Sequence, residues 1–141
     1  MKQLKIKYLN VTLEHIKQFG NWCDLRSSCD IVIKSEEHKL IPLGVCIQLP
    51  KNYEAFLVSR SSTFKNYGLI QTNAPGIIDE SYSGNDDQWF FSVYATRDII
   101  VYKNDRICQF RILKKQPKLK FIEVDNLKNL SRGGHGSTGI K

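Results

Sequence analysis

The chain has 141 residues, 41% of them hydrophobic and 25% charged, and carries a formal charge of +7 from 21 basic and 14 acidic residues. That length supports one domain with a core of its own, and the composition excludes a disordered or collagenous chain. No apolar run approaches the roughly 18–20 residues of a membrane span, and the charged, alternating start Met1 to Tyr8 has no signal-peptide apolar region, so a cytoplasmic protein with no membrane contact is expected.

In chain order, Lys2 to Val11 alternates through Leu4 and Ile6 and reads as a strand. Leu13, Ile16 and Phe19 have the spacing of one or two helical turns ending at Gly20. Asp30 to Ile33 and His38 to Ile41 are short strands around the polar turn Lys34 to Glu37, and Pro42 to Gly44 breaks the pattern. Val45 to Leu49 and Ala55 to Ser59 are apolar strands on either side of Pro50 to Asn52. Thr63 to Tyr67 fits a single helical turn before Gly68, and Leu69 to Thr72 leads into the turn-rich stretch Asn73 to Gly84. Gln88 to Ala95, Asp98 to Tyr102 and Arg106 to Leu113 are strands, and Leu119 to Val124 is expected to be the last. Many short strands at short spacing, with Gly, Pro and Asn turns and almost no helix, mean an all-β sandwich, jelly roll or barrel.

Within the turn-rich stretch, Pro75-Gly76 is turn chemistry, with Gly76 expected at positive φ. Asp79 follows the apolar pair Ile77-Ile78, which predicts a half-buried carboxylate, costly unless it is paired or used. Cys23, Cys29, Cys46 and Cys108 form no Cys-x-x-Cys, and His15, His38 and His135 share no ligand spacing. Free thiols in or near the core and no structural metal held by the protein are expected. The basic residues are dispersed rather than gathered into a stripe with aromatics, which argues for a solvated basic surface, an anionic small-molecule partner and no specific nucleic acid.

Five segments in order resemble the trimeric dUTPases, the deoxyuridine triphosphate nucleotidohydrolases. They are Asp24-Leu25 with Ile31 to Ile33, Arg60-Ser61-Ser62, Gly76 to Gly84, Asn104 to Gln109, and the glycine-rich Arg132 to Gly139. The similarity spans roughly residues 20–141 and is especially like short members from Gram-positive bacteria and their phages. It implies a jelly-roll-like β-barrel over 1–130, with 131–141 as a mobile Gly-rich lid, and a homotrimer whose active sites draw on all three chains.

The reaction so implied is hydrolysis of dUTP to dUMP and pyrophosphate by water attack at the α-phosphorus, supplying dUMP for dTMP synthesis and keeping uracil out of DNA. Asp79 is then the catalytic base and the anchor of the sugar 3′-OH. Tyr82 packs on the deoxyribose and excludes a 2′-OH, which requires a bend between Asp79 and Tyr82. Asn73, with Gly76, Ile77 and Ile78, frames the uracil. Arg60, Ser61, Ser62, Gln109 and Arg132 serve the phosphates, with the lid residues His135, Gly136, Ser137 and Thr138. One Mg²⁺ is held mainly by phosphates and water, with Asp24 in its outer shell. Asp105-Arg106 reads as a buried structural pair beside the site.

The chain departs from the usual family pattern at three places. Asn21-Trp22-Cys23 precedes Asp24 where small residues are usual. His135 stands where many members place a stacking Phe, and the link Asn85 to Trp89 is long. Trp89, Phe90 or Phe91 is therefore expected to supply the stacking surface. A dCTP deaminase would need a catalytic Glu within Gln88 to Ala95, and there is none. A regulatory role, with the nucleotide pocket switching a protein partner, is the remaining alternative.

Overall fold

The computed structural model describes residues 1–134, 136 and 139–140. The strands in order are β1 (Lys5–Tyr8), β2 (Gln18–Phe19), β3 (Trp22–Arg26), β4 (Ile31–Ile33), β5 (His38–Pro42), β6 (Val45–Gln48) and β7 (Tyr53–Ser59). One turn of helix, α1 (Thr63–Tyr67), follows, then β8 (Leu69–Gln71), β9 (Gly76–Ile78), β10 (Phe90–Ala95), β11 (Ile99–Val101) and β12 (Arg106–Lys114). Every pairing is antiparallel. The five-stranded sheet runs β2-β3-β12-β7-β9, the three-stranded sheet β5-β10-β8, and β1-β6 and β11-β4 are pairs.

The period-two pattern builds the core. In β10, Phe91, Val93 and Ala95 point inward at 0% exposure, while Phe90 and Tyr94 face out. Ile41, Leu43, Val45, Ile47, Leu57, Leu69, Trp89 and Phe110 complete one apolar cluster. Trp89 meets Phe110 edge-on with ring centroids 5.2 Å apart. Cys46 and Cys108 are buried, Cys23 and Cys29 are half-buried, and all four are free thiols.

Several expectations are corrected. Leu13 to Phe19 is not helical: Leu13 is buried in coil, the Ile16 N–H donates to the Tyr8 hydroxyl, and Gln18–Phe19 pairs with β3. A spacing of three also suits an extended segment that turns Leu13 and Ile16 toward the barrel wall, while Phe19 is left 63% exposed. Leu119 to Val124 forms no strand, because no sheet edge of this chain lies beside it; Phe121 is 91% exposed and Leu130 99%. The Ala74–Pro75 peptide is cis, and Gly76 is not at positive φ but opens β9 opposite Leu57. β3 and β9 escape a sequence reading because Asp24 interrupts the apolar pattern of the one and the turn residues Pro75-Gly76 open the other.

Candidate active site

Two clusters lie at opposite ends of β7. At its C-terminal end, β12 crosses between β3 and β7, so Gln109 sits opposite Asp24 on one side and Val58 on the other. A register shift between Arg106 and Cys108 makes Ile107 and Cys108 both inward, each at 0% exposure. This bulge turns both Arg106 and Gln109 outward, where strict alternation would bury one of them. The Asp24 Oδ2 accepts from Arg60 Nε at 3.4 Å and Arg106 Nη1 at 3.3 Å. Arg106 therefore pairs with Asp24 and is itself exposed, which corrects the expected Asp105-Arg106 pair; Asp105 instead accepts from the Tyr102 N–H at 3.0 Å.

Arg60 also donates Nη1 to the Arg106 carbonyl at 3.0 Å. The loop that carries it is pinned by Thr63, a buried residue the sequence did not single out. Its Oγ1 accepts from the Arg60 N–H at 2.9 Å and donates to the Ile107 carbonyl at 2.9 Å. Ser61 is exposed, and the Ser62 hydroxyl makes no capping bond to α1. Gln109 Nε2 donates to the Ser59 carbonyl at 3.1 Å. A cleft of about 470 Å³ opens alongside, lined by His15, Lys17, Asp24, Arg26 and Arg106 among others. Glu14 also lines the cleft and pairs with Arg26 at 3.0 Å, so this end of the subunit is a cationic cradle in which Asp24 holds Arg60 and Arg106 and Glu14 holds Arg26.

At the other end of β7, the chain leaves β9 and turns sharply. The Tyr82 N–H donates to the Asp79 carbonyl at 3.0 Å, which supplies the bend that Asp79 and Tyr82 need to serve one ligand. The Asp79 Oδ2 accepts from the Ser81 N–H at 2.8 Å, and its Oδ1 is 2.8 Å from Lys115 Nζ. The hydrogen bond from Lys115, then those from Ser81, hold the half-exposed Asp79 carboxyl well below the usual carboxylate range. Lys115 also reaches Glu80 Oε1 at 2.9 Å. The Tyr82 hydroxyl donates to the Gln88 carbonyl at 2.8 Å. Ile77 is 62% exposed, Ile78 half-buried and Gly76 buried.

Asn73 is exposed at the tip between β8 and β9. The Thr72 N–H donates to the Ser92 carbonyl, which extends the β8–β10 pairing one residue toward that tip, and Phe90 lies two residues beyond Ser92 on the same outer face of β10. Phe90 is 40% exposed. Phe91 and Trp89, at 0% and 1%, are core residues and offer no face to a ligand, which corrects their inclusion among the stacking candidates. Arg132 and Gly136 are exposed in the tail; His135, Ser137 and Thr138 lie outside the described residues.

The Asp79 end and the Arg60 end do not meet within one subunit. The register sets Asp79 level with Glu54, and about six residues of strand at ~3.4 Å each, roughly 20 Å, separate that level from Arg60. Lys115 is the site residue the sequence missed. It looked like part of a basic surface, and only the pairing of β12 with β7 and of β7 with β9 brings it to Asp79.

Residues 23–139 match the family model for dUTPase. The chain belongs to the dUTPase family. It is 58% identical over 141 residues, 99% of each chain, to the SPbeta prophage-derived deoxyuridine 5'-triphosphate nucleotidohydrolase YosS of Bacillus subtilis (strain 168). Its fold is similar to the crystal structure of the dUTPase from Streptococcus mutans, with a TM-score of 0.73 at 20% identity over 82% of this chain and 98% of that one. A mutant dUTPase from phage phi11 of S. aureus also has a TM-score of 0.73, at 18% identity over 90% of this chain and 99% of that one. That structure is described as revealing the coordination of a structural Mg(II) ion. The jelly-roll-like dUTPase fold expected from the sequence is thus the fold found. Among the described residues, no helix is long and apolar enough to cross a membrane.

Proposed function

We propose that this chain hydrolyses dUTP to dUMP and pyrophosphate in the cytoplasm, in a homotrimer whose sites each join the Asp79 end of one subunit to the Arg60 end of another. The observation that carries the reading is the separation just described. A water oriented by Asp79 must lie about 3–3.5 Å from the phosphorus it attacks, so the arginine that neutralises that phosphate cannot sit roughly 20 Å away in the same chain. Symmetric association supplies the missing half. Two further features support association. Leu40, Ile70 and Tyr94 are exposed on the outer face of the β5-β10-β8 sheet, around the hydrogen-bonded His38, Ser92 and Thr72 side chains, and such exposed apolar side chains mark contact sites. Residues 116–134 form no strand or helix and are exposed throughout, with Phe121, Ile122, Leu127 and Leu130 uncovered.

In the assembled site, Asp79 accepts from the sugar 3′-OH and from the attacking water. Tyr82 lies against the deoxyribose, where a 2′-OH would clash. Asn73 and the backbone from Gly76 to Ile78 read the uracil edge, and a mismatched base leaves those groups unpaired. Phe90, toward the Asn73 end of the β8–β10 pairing, provides the stacking face that His135 would only partly offer. Arg60, Ser61, Ser62 and Gln109 hold the triphosphate, and Arg132 with residues 133–139 closes over it as a lid domain distinct from the 1–130 barrel. Guanidinium forks and compact hydroxyls suit phosphate oxygens.

A divalent ion fits this arrangement only as one carried by the substrate. No cluster of three metal-ligating side chains occurs among the described residues, and magnesium seldom uses an all-protein cage. Both guanidinium groups sit on Asp24 Oδ2, which leaves Oδ1 for a metal-bound water. When bound, the ion would neutralise phosphate charge.

The experiment is a panel of dUTP, dCTP, dTTP and UTP with pyrophosphate and ammonia detection. Pyrophosphate from dUTP alone is expected. Ammonia from dCTP, or equal hydrolysis of all four, contradicts the reading.

A further inference from the structure

Lys115 stands just past the end of β12, 36 residues from Asp79 in the chain, yet its ammonium bridges Asp79 Oδ1 at 2.8 Å and Glu80 Oε1 at 2.9 Å. The bridge is built from the backbone up. The turn before β7 places Asn52 at φ +68, and its carbonyl accepts from the Lys115 N–H at 2.9 Å. The Asn52 N–H donates to Glu80 Oε2 at 2.8 Å. One turn thus fixes both the lysine backbone and the carboxylate that shares its ammonium.

A carboxylate offers about four acceptor positions. Lys115 takes one on Oδ1 and the Ser81 N–H one on Oδ2, and the Ser81 hydroxyl also bonds to the group. The Ser81 hydroxyl rotates and can give up its place, so the carboxylate keeps room for a water and a sugar hydroxyl while Lys115 and the Ser81 N–H hold its orientation.

We propose that Lys115 is a positioning residue for hydrolysis: anchored on Glu80 and Asn52, it fixes the rotation of the Asp79 carboxylate so that its remaining lone pairs face the attacking water and the sugar. This rests on the dUTP-hydrolysis reading above. It makes Asp79 an ionised, oriented acceptor rather than a strong base, since a carboxylate paired with an ammonium binds a proton weakly.

The groups facing Asp79 are Lys115 just after β12, Glu80 and the Ser81 N–H and hydroxyl from its own turn, and Glu54 level with it on β7. Lys51 and Tyr53 lie in and after the adjoining turn and make no ion pair with it among the described residues. Removing Lys115 therefore removes the one cation paired with Asp79. Its folded-state pKa lies below the ordinary Asp value of about 3.9. Without the ammonium the pKa rises, and the ionised form is lost earlier as pH falls.

The test uses full-length protein in three forms, wild type, Lys115→Met and Lys115→Arg. A carboxyl ¹³C titration of Asp79 without nucleotide reads the ion pair independently of turnover. The Asp79 midpoint is expected to rise in Lys115→Met, short of the free-Asp value because the Ser81 bonds remain, and to stay low in Lys115→Arg. In steady-state dUTP hydrolysis, kcat of Lys115→Met is expected to fall about ten- to a hundredfold, as for a misplaced reacting group, with KM within about threefold. The deficit should widen below about pH 5, and Lys115→Arg should recover most of kcat. The substrate's own titration is common to all forms and cancels in the ratio.

An unchanged Asp79 midpoint, or a kcat within twofold at every pH, overturns the proposal. Wild type inactive on dUTP would instead overturn the functional reading, while the titration still decides the ion pair. Should Lys115→Met fail to fold, Glu80→Gln keeps the ammonium but removes its anchor. It must then lower kcat by about threefold or more at unchanged KM, or the proposal fails.

Discussion

Phe90 and Phe91 are adjacent residues of one type with opposite assignments, so truncating each separates site from core. Phe91 is 0% exposed and packs into the apolar cluster. Phe91→Ala should cost about 3–5 kcal/mol of stability, the usual range for a buried aromatic. Phe90 is 40% exposed, on the outer face of β10, toward the Asn73 end of the β8–β10 pairing. Aromatic stacking on a base is worth about 1–3 kcal/mol by alanine substitution, or roughly 5- to 150-fold in affinity. Phe90→Ala should therefore raise KM for dUTP within that range while leaving the chemical-denaturation midpoint nearly unchanged, and Phe90→Trp should restore KM. The assays are pyrophosphate release against dUTP concentration and urea unfolding of both variants. Wild-type KM and kcat in Phe90→Ala would refute the stacking role, and a destabilisation matching that of Phe91→Ala would refute the two-faced reading of β10.

Ile70→Glu places a charge on the exposed apolar face shared with Leu40 and Tyr94; sedimentation should show association weakened by about tenfold or more, with activity falling in parallel. Ending the chain after Leu130 removes no strand, so the melting temperature should hold while dUTP turnover falls by more than about tenfold. Gly44→Ala should destabilise by about 1–3 kcal/mol in thermal melts, because the residue sits at φ +66 and a Cβ there would lie 2.8 Å from that of Ser28. Tyr82→Ala should relax discrimination between dUTP and UTP in competition assays, with little effect on stability, since its ring is 39% exposed.

The parts of this molecule legible in the sequence are those whose cause is local. Alternation in Gln88 to Ala95 gives the β10 strand, and five ordered motifs give the family. What escaped is set by partners distant in the chain. The shift between Arg106 and Cys108 depends on β3 and β7 flanking β12, and no spacing announces that both Arg106 and Gln109 face outward. Lys115 reaches Asp79 only through two strand pairings and a turn. Leu119 to Val124 alternates as a strand does, but its own chain offers it no edge. Phe90 and Phe91 look equivalent until pairing with β5 and β8 fixes which one faces the core.

Complementation between two inactive variants tests most directly whether the site is assembled across chains. Asp79→Asn and Arg60→Ala are each expected to lose about 10²–10⁴-fold in dUTP hydrolysis. Co-refolded in equal amounts, the two pools form mixed trimers. A site taking Asp79 from one subunit and Arg60 from another is intact when the first is the Arg60→Ala chain and the second the Asp79→Asn chain. Random mixing in a closed symmetric ring makes this about one quarter of all sites. Recovery to about a quarter of wild-type activity is the predicted result. A mixture no more active than its separate components would contradict a shared site, and with it the catalytic arrangement proposed here.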